Sequence, residues 1–242
     1  MCKRCAPLCV VLLASFVFIC AGCGRGGSED DAFKRLSKEY FKEYFRSNPI
    51  LATWAGEHRY DHELDDVSRG AVEAQTASLK TFLARLEKLD ESALSPDNRI
   101  DAEILADGIK LDILNSEGLR PLETDPMYYT SLLGNSINYL IERDYAPIGE
   151  RLDAVADRLT QFPRVIDQAL ANLSNPPKSC TETAISQNRG LMALIREDVM
   201  TAAQAAPEKS EKVDNAARGA LDALAAFQNF LEKDLINRSL GD

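Results

Sequence analysis

Histidine is almost missing from this chain. Of its 242 residues only His58 and His62 are histidines, and Trp54 is the single tryptophan. With so few imidazoles, a catalytic zinc site or a Ser-His-Asp triad would have to use these two, and neither begins a His-Glu-x-x-His element. Ser131 and Ser136 lie near Gly134 without a Gly-x-Ser-x-Gly elbow around them, and no glycine-rich phosphate loop occurs. Nucleophilic hydrolases and nucleotide binders are thereby disfavoured. Strand-like alternation of apolar and polar residues is also lacking. Basic residues are few: 28 Lys and Arg stand against 38 Asp and Glu, a net charge of −10. A nucleic-acid binder concentrates Lys and Arg on one face, so no nucleic acid is expected as a partner.

Cysteine is scarce beyond the first turns of the chain. Cys2, Cys5, Cys9, Cys20 and Cys23 crowd the start, and Cys180 stands alone thereafter. The crowding belongs to an export signal. Lys3 and Arg4 supply a positive start, Leu8 to Ile19 is almost wholly apolar, and Cys20-Ala21-Gly22-Cys23 places small residues ahead of a cysteine. The pattern is that of a bacterial lipoprotein, with residues 1–22 removed, Cys23 acylated, and residues 23–30 forming a flexible tether through Gly24-Arg25-Gly26-Gly27-Ser28. A secretory signal and a membrane helix are the alternatives, and the apolar run is short of the ~20 residues a bilayer requires. Without Lys3 and Arg4 the basic count falls from 28 to 26 against 38 acidic residues, a net charge of −12. Such a body is repelled by an anionic membrane, so the lipid must do the anchoring. Gly24 carries no acidic retention signal, and by resemblance to Gram-negative lipoproteins the expected location is the outer membrane, facing the periplasm. Cys180 near a helix start reads as a half-buried small apolar residue.

What is abundant is helical periodicity. Leu79, Phe82, Leu83, Leu86 and Leu89 recur at three and four; so do Leu152, Val155, Leu159, Phe162, Ile166, Leu170 and Leu173, and then Leu221, Leu224, Leu231 and Leu235. The spacing predicts helices near 30–46, 49–56, 68–90, 96–117, 131–142, 147–173, 180–205 and 210–237, one domain over residues 31–242. Ser95-Pro96-Asp97 reads as an N-cap with proline in the first turn, and Ser179-x-x-Glu182 as a capping box. Pro163 is expected to kink the 147–173 helix rather than end it. Residues 118–130 form the longest apparent break. The expected fold is therefore an all-α array of seven or eight helices.

Four groups of residues are candidates for chemistry. His58 and His62 have the i, i+4 spacing of a helical metal site, but Arg59 replaces the glutamate that would act as base, and Asp65 or Asp66 would have to complete the ligand set. Surface or capping roles are the preferred reading. Asp61, Asp65 and Asp66 lack a twelve-residue calcium loop and read as a solvated acidic turn. Glu182 reads as a helix cap. Arg143, Asp144, Arg151, Asp153, Asp157 and Arg158 read as surface ion pairs of little weight.

Specific residues then point to a family. Asn48-Pro49 with Ala52-Thr53 and Gly56, then His58, Tyr60-Asp61, Leu64 and Asp66-x-Ser68, resembles the opening signature of the bacterial family called domain of unknown function 885. Similar pieces follow in order: Ile100-Asp101 with Ile104-Leu105, Asp125-Pro126-x-Tyr128, Leu140 through Pro147, Arg151-Leu152, Arg158-Leu159-x-x-Phe162-Pro163, and Asn172 through Ile185. The resemblance runs from about Phe33 to Val199. It implies the N-terminal half of a larger, helical, zinc-peptidase-like protein of the gluzincin kind, with a His-Glu-x-x-Pro-Gly-His element further along a chain more than twice as long. That element is absent from this sequence. The resemblance thus implies zinc only for the full-length family protein, no cofactor and no catalytic residue in this chain, and a possible substrate-channel role for His58, Asp61, His62 and Glu182. The alternative is a stand-alone helical lipoprotein that binds a peptide or protein; the oligomeric state is left open. Reading the DNA on both sides of the Asp242 codon distinguishes them. A downstream frame encoding His-Glu-x-x-Pro-Gly-His is expected if the chain is the first half of a peptidase-like protein, and a clean stop before an unrelated gene is the opposite result.

Overall fold

Proline starts the helices of this protein. In the computed structural model, which describes residues 28–240, four of the ten prolines open a helix, where the missing N–H costs nothing and φ is already set. Cys23 and the expected signal, residues 1–22, lie outside the described residues. The α-helices are α1 (Glu29–Ser47), α2 (Pro49–Trp54), α3 (Arg69–Leu86), α4 (Pro96–Leu114), α5 (Pro121–Thr124), α6 (Pro126–Ile141), α7 (Ile148–Leu159), α8 (Phe162–Asn172), α9 (Lys178–Leu194), α10 (Met200–Ala203), α11 (Ser210–Phe230) and α12 (Ile236–Arg238). Single wide π-turns, Asn115–Leu119, Ile195–Val199 and Leu231–Leu235, extend α4 and join α9 to α10 and α11 to α12. The described residues contain no β-strand, only one isolated bridge between Pro177 and Leu240. The fold is all-α.

Three local expectations are corrected. Pro163 does end a helix: the α-helical bonding stops at Thr160–Gln161, and α8 begins anew at Phe162 with Pro163 in its first turn. Its ring leaves no N–H for the Leu159 carbonyl, so the ladder is cut there. The capping box at Ser179 is not formed. Helix α9 starts at Lys178 behind Pro177, which puts Ser179 inside the first turn, and Glu182 instead faces Lys178 at 3.9 Å. The break at 118–130 is nearly filled, because Pro121 and Pro126 each open a helix with only Arg120 and Asp125 between them and their predecessors. Arg120 pays the turn's conformational cost at φ 50°.

The helices form two packed groups. Helices α1, α3 and α4 close over Phe33, Leu36, Leu86, Leu94 and Ala102 at one end and Tyr40, Leu79 and Ile109 further along. Asp30 Oδ1 accepts from the Ser95 N–H at 2.9 Å and ties the starts of α1 and α4 together. The larger group packs α6, α7, α8, α9 and α11 around Tyr129, Leu133, Ile137, Leu152, Leu159, Phe162, Ile195 and Leu224. Phe227, Leu231 and Leu235 are fully buried within it, so the last long helix covers its own apolar face. Hydrogen bonds from Leu240 N to Pro176 O (3.0 Å) and from Lys178 N to Leu240 O (2.9 Å) fasten the end of the described chain to the head of α9. Ile50, Leu64 and Val67 place α2 and the 55–68 segment in the larger core.

Arg158 sets where that segment sits. Far from being a surface ion pair, its side chain is 0% exposed. Its guanidinium donates to Ser136 O (2.7 Å) on α6, Glu63 O (3.1 Å) in the segment, and Thr53 Oγ1 (2.6 Å) on α2. Burial pulls its pKa down to about 10, and the charges of Asp61, Asp65 and Tyr145 oppose that pull. Arg151 is buried too, donating to the carbonyls of Leu140, Ile141 and Ala146 and to Asp144. Both arginines are structural: Arg151 collects carbonyls at the end of α6 and in the turn after it, and Arg158 collects the Glu63 carbonyl of the irregular segment together with a second bond to the α6 carbonyl of Ser136. Replacing Arg158 with Met takes the donor from the Glu63 carbonyl and from Thr53 Oγ1 and leaves Asp61 without its counter-charge. Urea denaturation at pH 7 should show a loss of about 3–5 kcal/mol.

Candidate functional site

The 55–68 segment is the longest stretch without α-helix among the described residues, and it carries the family-like signature. Gly56 turns the chain out of α2 at φ 86°, which only glycine adopts without strain. A short 3₁₀ turn, His58–Tyr60, then delivers Asp61 into the interior. Asp61 is 5% exposed, so it is no part of a solvated acidic turn. Its carboxylate accepts from Thr53 Oγ1 (2.7 Å), Tyr145 Oη (2.6 Å) and His58 Nδ1 (3.0 Å). The His58 and Tyr145 rings stack at 3.7 Å. Burial, followed by the hydrogen bond to Asp61, pushes the Tyr145 phenol well above its usual range, so it stays a donor.

Of the four substrate-channel candidates His58, Asp61, His62 and Glu182, the structure joins only His58 and Asp61. His62 turns outward, its Nδ1 2.8 Å from Asp157 Oδ2 in a surface cluster with Lys212, and partial burial of Asp157 is outweighed by the bonds from Lys212 and His62 that hold it below the usual carboxylate range. Glu182 is exposed on α9 and lines neither cleft described below. Zinc does not fit this arrangement. His58 and His62 lie on a 3₁₀ turn and beyond it rather than one α-turn apart, each nitrogen that points inward already meets a different aspartate, and among the described residues no three His, Cys, Asp or Glu side chains are grouped to hold a metal ion.

Beside the segment lies a cleft of about 420 Å³ between α3–α4 and α5–α6. A second, shallower hollow of about 700 Å³ opens on the α2–α6 side, and Asp65 and Tyr128 belong to the walls of both. Asp65 accepts from the Ile50 N–H (3.1 Å) and thereby caps α2 from outside its own chain segment. Burial raises its pKa to about 6, against the opposing effects of that bond, Arg158 and Arg164. Across the cleft Asp112 is also raised by burial while accepting from Tyr44 Oη (2.9 Å). Tyr128 between the two carboxylates is pushed up to about 12 by burial and by their charges. The cleft is a partly apolar hollow with two carboxylates facing a phenol, suited to accept hydrogen bonds from amides or a cationic side chain.

Tyr145, Asp112 and Tyr128 were not singled out by spacing or charge, while Asp65 was read as part of a solvated acidic turn and Arg158 as a surface ion pair. All but Asp65 and Asp112 do lie inside the family-like pieces, and folding brings those pieces together. Asn172, from the last of them, donates to Val67 O (2.7 Å) and to Tyr129 Oη (3.1 Å).

An all-helical body with a buried polar hub and an acidic cleft is the class that these observations define. The family model for a bacterial protein of unknown function (DUF885) matches residues 49–242, and the chain belongs to that family. A solved structure, that of a candidate lipoprotein of unknown function from Shewanella oneidensis, superposes with a TM-score of 0.77 at 19% identity. The match covers 85% of this chain and 38% of that one, so the likeness concerns the fold and this chain spans well under half the length of that structure. None of the curated proteins matches the sequence.

Asp65 yields a sign-specific prediction. Its folded pKa lies above its unfolded value of 3.8, so the folded protein holds its proton longer, and stability falls as pH rises from about 4 to about 6. Asp65→Asn removes that penalty while keeping an acceptor for Ile50. Urea unfolding is expected to show the variant more stable than wild type by about 1–3 kcal/mol at pH 8, with the advantage gone near pH 4.

Proposed function

We propose that this chain is the substrate-holding helical part of a zinc-peptidase-like DUF885 protein, tethered to the cell envelope through Cys23, and that it binds a peptide without cleaving it. The observation that carries the reading is the cleft itself, lined by Asp65, Asp112 and Tyr128, to which the family-like pieces contribute Asn48, Asp66, Tyr128 and Asn172. The fold shared with the Shewanella oneidensis candidate lipoprotein supports an envelope location. Among the described residues no helix is long and apolar enough to cross a membrane, and in this reading the attachment is the lipid on Cys23. A peptide lying in the cleft finds carboxylates for its amide N–H groups and for Lys or Arg side chains, and Val72, Leu79 and Leu122 for apolar ones. The buried faces of Phe227, Leu231 and Leu235 favour the second reading, a stand-alone binding module, at one point: the described residues close their own core at that end. Either way the ligand occupies the same hollow.

Trp54 lines the neighbouring hollow and not the cleft, so occupancy of the cleft is read by calorimetry. Titrating the purified protein with Lys-Ala-Lys-Ala-Lys should give a saturable heat, with Glu-Ala-Glu-Ala-Glu much weaker, and Asp112→Asn should weaken the basic peptide about 5–10-fold. Mass spectrometry should recover the peptide intact after hours. No saturable change with either peptide would overturn the binding, and cleavage products would overturn the catalytic silence.

A further inference from the structure

Helix α4 is apolar on two opposite faces. One, with Ala102, Leu105, Ile109 and Ile113, packs against α1 and α3. The other carries Ile100 (56% exposed), Ile104 (65%), Leu111 (55%) and Leu114 (54%) into solvent. At 100° per residue these four fall within a sector about 80° wide, a seam rather than a scatter. A helix with two such seams is built to be covered on both sides, and only one side is covered by the described residues.

The arrangement of the outer seam identifies what covers it. Ile100 and Leu114 are centred on residue 107, and Ile104 and Leu111 on the bond between Asp107 and Gly108, so the seam reads nearly the same from either end. Two α4 helices laid antiparallel about an axis at Asp107 set Ile100 against the partner's Leu114 and Ile104 against the partner's Leu111. Glu103 and Lys110 flank the seam on one side at nearly equal distances from that axis. The same alignment therefore brings Glu103 against the partner's Lys110, twice in each pair. Gly108 has open space where a Cβ would stand, which lets the crossing helices approach closely. The one opposing feature is Asp107, which meets its own copy near the axis, and Lys110 Nζ stands 3.3 Å from its carboxylate.

We infer that α4 is a self-association surface and that its occupant is a second copy of this chain, docked antiparallel across a two-fold axis at Asp107. This holds independently of what the cleft binds. The self-complementary spacing and the Glu103–Lys110 pairing favour a copy over a membrane, because Asp97, Asp101, Glu103 and Asp107 along or beside the seam would be repelled by anionic lipid. One helix pair buries less than the ~800 Å² per partner of a standard interface, so the association is expected to be micromolar and to be aided by shared anchoring.

The test uses the full chain in cell-envelope fractions, in a Cys180→Ser background. On oxidation with copper phenanthroline, Asp107→Cys should cross-link to a species of doubled mass, while Asp222→Cys, exposed on α11, should not. Adding Glu103→Lys or Lys110→Glu to Asp107→Cys should cut the cross-linked fraction at least threefold, and both together should restore it. Equal cross-linking at positions 107 and 222, no cross-link at 107, or a yield indifferent to the charge reversals would each overturn the proposal. All these positions except Cys180, which is half-buried, are exposed, so folding is not at stake at the seam.

Discussion

A single guanidinium placed where water cannot reach it governs the rest of this structure. Arg158 is charged and wholly enclosed, a situation that costs several kcal/mol unless each of its N–H groups finds an acceptor. The acceptors come from places that local sequence would not bring together: a carbonyl of α6, a carbonyl of an irregular segment, and a threonine hydroxyl on α2 that in turn donates a hydrogen bond to Asp61. Satisfying the arginine thus dictates the path of residues 55–68. Hydrophobic burial supplies most of the stability of the two helix groups, but it is directionless, and it would tolerate several placements of this segment. The buried charge tolerates one.

From that placement the cleft follows. With Asp61 drawn inward, Asp65 comes to the head of α2 and to the wall between two hollows, opposite Asp112 and beside Tyr128. The raised affinity of Asp65 for a proton is the electrostatic price of standing in a wall rather than on a surface. Function, in this reading, lives in a hollow created as a by-product of seating an arginine.

The helices were legible because their stripes and prolines speak locally. Pro49, Pro96 and the apolar repeats at three and four predicted α2, α4 and the later helices to within a few residues. Pro163 and Ser179 were misread for one reason: a proline two residues into a turn starts a helix as readily as it bends one, and only the register of the neighbouring turn decides. The site was less legible. Arg158 directly follows Asp157 and lies five residues after Asp153 in a sequence full of surface ion pairs, and nothing in its spacing distinguishes a buried cation from a solvated one. Two of its three close partners, Glu63 and Thr53, are 95 and 105 residues distant, beyond any periodicity. The family-like pieces did contain Tyr60-Asp61, Tyr145 and Arg158, yet a list of pieces in order does not say that they touch. His58 and His62 were read as a pair by spacing, and the 3₁₀ turn parts them.

The clasp between Leu240 and the head of α9 has a kinetic side. It joins residues more than sixty positions apart through two backbone hydrogen bonds, with the Thr181 and Ser239 hydroxyls 2.7 Å from each other alongside. A chain made from its N-terminus can assemble α1, α3 and α4 from near neighbours as they emerge, whereas this closure must wait until residue 240 exists. The helices from α9 onward therefore stay unlatched until residue 240 has been made.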